Sequence, residues 1–134
     1  DERVDGALEP DGLRHASAAV VAAGTATLEV ALAGVPMVVG YRMNPLSHAL
    51  LERMVQVSHV ALPSLVAGRS VAPELLQADF RPGSVAAHVE AALDDPAVRA
   101  RAQNDATELS RLLGPPAASR RAAETVLDLA EGTR

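Results

Sequence analysis

The chain has no cysteine, no tryptophan and no lysine, and only two aromatic rings, Tyr41 and Phe80, among its 134 residues. Without cysteine there can be no disulfide and no thiolate metal site, a usage that fits the cytoplasm. With so few rings, a series of unpaired nucleobases has no aromatic platforms on which to stack, and the core has to be built from Ala, Val and Leu. Every cationic side chain other than histidine is Arg, and the net charge is −5. A phosphate-coated polymer wants a basic face, so no nucleic-acid partner is expected. The absence of lysine beside so much alanine reads as base-composition bias in the gene rather than as a functional mark. No apolar stretch approaches the ~20 residues that a membrane helix needs, and Asp1-Glu2-Arg3 is not the basic start of a signal peptide; a soluble chain is expected. What is present, 49% hydrophobic and 22% charged residues, suffices for one folded domain or a large part of a bigger one.

Two textures divide the chain. In residues 1–72, short apolar runs alternate with helix-length patterns. Residues 17–23 form a compact apolar run ending at Gly24, and residues 36–41 form a second. Runs of this length, apolar on both faces and closed by Gly or Pro, suit buried parallel strands. The first run, rich in Ala, also fits a helix, but β-branched Val20 and Val21 at its centre favour a strand. Between them, Thr25 can cap a helix over 25–33, and Gly34 suits the left-handed turn that ends it. The order strand, Gly turn, helix, turn, strand is a βαβ unit. Leu46, Leu50, Leu51 and Met54 predict a helix over 45–56, and residues 59–62 a third short strand broken by Pro63. From Pro73 to the end the pattern is all helix. Val85, Val89 and Leu93 mark one helix, begun by Pro82; Asp95 and Pro96 start a second whose buried face is Val98, Ala102, Ala106, Leu109 and Leu113. After Gly114-Pro115-Pro116, Ala122, Val126, Leu129 and Ala130 give a last amphipathic helix. The first fifteen residues, with Val4 ending a possible strand, read as the tail of a larger unit; a domain truncated on its N-terminal side is expected.

The strongest local signal is Gly24-Thr25-Ala26-Thr27-Leu28-Glu29. Glycine at the carboxyl end of a strand lets a ligand approach the backbone, and the helix that follows aims its unpaired N–H groups and positive dipole end at the same place. A diphosphate could be held there without lysine, and Glu29, one turn further in, could accept hydrogen bonds from the two hydroxyls of a ribose. On pattern alone, a plain strand-to-helix turn with Glu29 solvated fits as well. His15, His48, His59 and His88 are isolated in sequence, so no metal site is expected, and no cofactor. Ser47-His48 carries no nucleophile-elbow signature, and Asp94-Asp95 reads as a helix boundary rather than an acid/base pair.

The segments 24–29, 34–42 (Gly-Val-Pro-Met-Val-Val-Gly-Tyr-Arg), 62–69 (Leu-Pro-Ser-Leu-Val-Ala-Gly-Arg) and 73–77 (Pro-Glu-Leu-Leu-Gln) resemble, in that order, the C-terminal part of the lipid-A-disaccharide synthases. The resemblance runs from about Val4 to the C-terminus. It implies an α/β fold, a partial Rossmann-like parallel sheet of a GT-B C-terminal domain, with a helical C-terminal extension over 73–134. The family joins UDP-2,3-diacylglucosamine to 2,3-diacylglucosamine 1-phosphate with inversion, releasing UDP. Carried over, Gly24 and Thr25 lie against the diphosphate and Glu29 holds the ribose. Arg42 faces the cleft, its alternative being a surface Arg that caps a helix or strand end. Ser64, Gly68 and Arg69 line the same crevice. Glu74 and Gln77, nearly one turn apart on a helix, offer polar contacts, or else are plain surface-helix residues. Two positions depart from the family: Ala23 stands where Ser is usual, and Ser64 where Asn is usual. The catalytic base belongs to the missing N-terminal domain, so no catalytic residue is expected here. A homodimer through the C-terminal helices, and a cytoplasmic enzyme peripheral to the inner membrane, are further implications. The alternatives are a non-catalytic nucleotide-binding remnant and the C-terminal half of another UDP-N-acetylglucosamine enzyme.

Overall fold

A computed structural model describes residues 10–13, 15–42, 59–115 and 118–131. In chain order the elements are α1 (Pro10–Leu13), β1 (Ala19–Ala22), α2 (Thr25–Leu32), β2 (Met37–Tyr41), α3 (Leu62–Ala67), β3 (Glu74–Leu76), α4 (Pro82–Asp94), α5 (Pro96–Leu113) and α6 (Ala118–Glu131). The expected α/β fold with a helical extension is present. The helix expected over 45–56, the strand ending at Val4 and His48 all lie outside the described residues.

The βαβ unit forms as the pattern predicts. β1 and β2 pair in parallel, with Val20 opposite Val38 and Val21 opposite Val39. Gly34, at φ 71°, ends α2 in the left-handed region. Its N–H donates to the Ala31 carbonyl and the Val35 N–H to the Val30 carbonyl, so the last turn's orphan acceptors are satisfied by a Schellman pair. The N-cap of α2 is Gly24, not the expected Thr25, and no side chain caps it.

Two expectations are corrected. Residues 59–62 are not a strand: Ala61 is an N-cap and Leu62 begins α3. Pro63 lies in the first turn of that helix, where its missing N–H costs nothing, so it starts a helix rather than breaking a strand. The third strand comes later, inside the segment read as all helix. β3 pairs in parallel with β2, Val39 opposite Glu74 and Gly40 opposite Leu75, giving the sheet order β1-β2-β3. Glu74 is therefore a strand residue, and Gln77 lies just past the strand end.

Side chains alternate across the sheet. Met37 and Val39 join the core made with Val30 and Ala31 of α2, Ala61 before α3, Ala72 before β3 and Leu109 of α5. Val38 and Gly40, on the other face, meet α4 and the turn before it. β2 is thus buried on both faces, as expected. β1 is not: Val20 is 51% exposed, because β1 is at the edge of the described sheet and α4 lies mainly over β2. Asp95 closes α4 and opens α5, accepting a hydrogen bond from the Ala97 N–H at 2.8 Å with Pro96 in the first turn. Val98, Ala102 and Ala106 are half-buried along α5 and Leu109 is fully buried, but Leu113 is exposed. On α6, Val126, Leu127 and Leu129 are all exposed.

Candidate functional site

Because the three strands are parallel, their carboxyl ends meet at one edge. In open α/β sheets that edge is where ligands bind. It carries the turn from β1 into α2 (Ala23, Gly24, Thr25), the end of β2 (Tyr41, Arg42) and the turn that leaves β3 (residues 77–81).

At the first of these, the Gly24 backbone is solvent-facing, and a Cβ placed on it would meet nothing within 4 Å. The first N–H groups of a helix have no intrahelical acceptor, and α2 has no side-chain cap. Thr27 fixes this turn: its N–H and its Oγ1–H both donate to the Gly24 carbonyl, at 3.2 and 2.6 Å. Thr27 is fully buried, so its hydroxyl is fixed in place and the part-buried bond points the peptide after Gly24 in one direction. Thr25 and Glu29, four residues apart and so on one helix face, are both exposed. The structure therefore brings Gly24, Thr25 and Glu29 together on one open corner.

The second and third parts are tied to each other. Arg42 Nη2 donates to the Phe80 carbonyl at 2.7 Å and lies 3.5 Å from the Gln77 carbonyl. The Gln77 N–H donates to the Tyr41 carbonyl at 2.9 Å. The Phe80 ring lies on Gly40 so closely that a Cβ at position 40 would fall 2.2 Å from its Cε2. In Gly40-Tyr41-Arg42, glycine thus makes room for a ring and arginine anchors the turn carrying it. Arg42 is at the expected edge, with its guanidinium engaged by backbone carbonyls.

The remaining expected site residues lie on α3, on β3 and on the segment between them. Ser64 is fully buried, and its Oγ accepts from the Val71 N–H at 3.2 Å. Gly68 ends α3 at φ 67°. Arg69 reaches α5, pairing with buried Asp105 at 2.7 Å and with Glu108; the hydrogen bond to Asp105, then that to Glu108, holds its pKa above the ordinary arginine value. Glu74 Oε2 accepts from the N–H groups of Val60 and Ala61, at 2.6 and 3.4 Å, just before α3. Its Oε1 lies 3.5 Å from His59 Nδ1 and makes no hydrogen bond among the described residues. His59 is therefore not isolated in space. No group of three or more metal-ligand side chains exists among the described residues. Thr27, Phe80 and Asp105 were missed as organising residues: Thr27 had a local signal in its spacing from Gly24, the other two had none. A cavity of about 300 Å³, lined by Ala31, Met37, Ala92 and Ala102 among others, lies near the amino ends of β2 and β3, at the opposite edge.

A parallel sheet flanked by helices, with an open glycine turn and a helix start at its carboxyl edge, is a partial Rossmann-like arrangement of the sort that GT-B domains have. The family model described as lipid-A-disaccharide synthetase matches residues 8–127. Lipid-A-disaccharide synthases of Rhodospirillum centenum and Anaeromyxobacter dehalogenans are 43% and 44% identical to the chain, over 89% and 92% of its length. That of Syntrophus aciditrophicus is 42% identical over 89%. These alignments take in 30%, 32% and 31% of the relatives, so the chain spans about a third of their length. The chain belongs to the lipid-A-disaccharide synthase family.

Proposed function

We propose that this chain is the UDP-sugar-binding portion of a lipid-A-disaccharide synthase. In that role it presents UDP-2,3-diacylglucosamine to the 6-hydroxyl of 2,3-diacylglucosamine 1-phosphate. The observation that carries the reading is the corner at Gly24, where exposed backbone, the start of α2 and the exposed carboxylate of Glu29 converge. The α2 N–H groups and dipole face the diphosphate, and Glu29 takes the ribose hydroxyls. In the transfer, the acceptor oxygen attacks the anomeric carbon from the face opposite UDP, and its proton passes to a base in the N-terminal half of the whole protein. The bond between the anomeric carbon and the diphosphate oxygen breaks, with its electron pair leaving on UDP. Preorganised N–H dipoles stabilise that growing charge without reorganising. A second copy meets the exposed apolar residues of α6, and the whole enzyme acts in the cytoplasm against the inner membrane.

Calorimetric titration with UDP, UMP and ADP tests the site: UDP is expected to bind most tightly, and a chain indifferent to UDP at millimolar concentration refutes the reading. The 134-residue chain alone is expected to form no disaccharide. Turnover above a no-protein control would place the base here after all.

A further inference from the structure

We propose that Arg42 is a positioning residue of the nucleotide site, acting through Gln77 and not by touching the ligand. The inference rests on the reading of the carboxyl edge given above. Gln77 is the only non-glycine among the described residues with positive φ, 50°. A residue with a Cβ is strained there, and such strain persists only where neighbours hold it. Some of these restraints come from the end of β2. The Tyr41 carbonyl takes the Gln77 N–H, and Arg42 faces the carbonyls of Gln77 and Phe80. The Asp79 N–H closes the turn on the Leu76 carbonyl at 2.9 Å, and the Phe80 ring is seated on Gly40. One guanidinium nitrogen, Nη2, is thus held by carbonyl oxygens across the turn that borders the candidate site. Without it, Gln77 gains by falling back to negative φ, which turns its side chain and swings residues 77–80 away from the edge. Glycine has no such gain, since it occupies either sign of φ with equal ease.

That difference supplies the test. Arg42→Ala, Gln77→Gly and the double variant are compared in the intact protein for UDP affinity, melting temperature and amide exchange over 76–81. Arg42→Ala is expected to weaken UDP binding about tenfold. Its melting temperature should stay within about 2 °C of the parent, because Arg42 is exposed. Exchange over 76–81 should quicken without ligand present. In the Gln77→Gly background, removing Arg42 should change UDP affinity by less than about twofold. A tenfold loss that persists in that background means that Arg42 contacts the ligand directly, and overturns the proposal. So does an Arg42→Ala variant with unchanged affinity, or with unchanged exchange over 76–81. If the parent itself fails to bind UDP, the donor-site reading falls, and the exchange comparison alone decides whether Arg42 holds Gln77.

Discussion

Gly40→Ala is the substitution whose cost the structure defines most directly. The new methyl carbon would lie 2.2, 2.5 and 2.6 Å from three carbons of the Phe80 ring, against a van der Waals separation of about 3.5–4.0 Å. β2 is bonded on both sides, to β1 and to β3, so the strand cannot retreat and the ring must leave. Full burial of such a side chain is worth about 1.5–3 kcal/mol, and Phe80 is half-buried. Lost ring contact together with residual crowding then amounts to about 1–2 kcal/mol. For a domain of this size that lowers the melting temperature by about 4–8 °C. Thermal denaturation of Gly40→Ala, Phe80→Ala and the double variant checks both the size and its origin. Each single change should destabilise, but Phe80→Ala should cost almost nothing further once Gly40→Ala has expelled the ring. Additive losses would refute the contact, because they require the ring to be doing its work somewhere else.

Three more outcomes follow from contacts already described. Glu29→Gln should weaken UDP binding about tenfold, or about 1.4 kcal/mol, and leave inorganic pyrophosphate binding unchanged in calorimetry; undiminished UDP binding by Glu29→Ala would remove this residue from the site. Asp105→Ala, which removes the buried carboxylate that exposed Arg69 reaches, should cost about 1–3 kcal/mol in urea denaturation, whereas Glu108→Ala, whose carboxylate is more exposed, should cost under about 1 kcal/mol; equal losses would contradict the different burial of the two carboxylates. Gly68→Ala forces a Cβ into the left-handed region and should destabilise by about 1–2 kcal/mol, while Gly83→Ala, in α4 with open space around it, should be neutral or mildly stabilising; the reverse order would refute the backbone assignment.

Features encoded within a few residues were legible before the structure. Gly34 after α2 and Asp95-Pro96 between two helices announce their backbone geometry locally, and the structure has both. β3 was not legible, because Glu-Leu-Leu has no strand pattern of its own; it is extended because β2 offers it a ladder, and tertiary context outweighs so short a propensity. Pro63 carried two opposite meanings, helix start and strand break, and nothing nearby chose between them. The site divides in the same way. Gly24, Thr25 and Glu29 are neighbours in sequence and share one corner. Arg42 with Phe80 and Arg69 with Asp105 are 38 and 36 residues apart, a separation no periodicity reports. The family resemblance assigns both arginines to the ligand crevice; their partners within the fold, Phe80 and Asp105, are what the motifs do not show.

The joint at Asp95 makes the stretch from there to Asp105 intolerant of changes in length. No loop intervenes between α4 and α5: one carboxylate caps the second helix while Arg99 donates back to the carbonyls of Ala92 and Leu93 at the end of the first. Each residue of a helix advances its side chain by about 100° around the axis, so the joint sets the angular phase at which Asp105 arrives opposite Arg69. Adding or deleting a single residue between them would carry Asp105 more than a quarter-turn away and bring a neighbour into the core in its place. Substitutions along this stretch can be absorbed one at a time; an indel cannot, and natural length variation should be confined to the segments outside it.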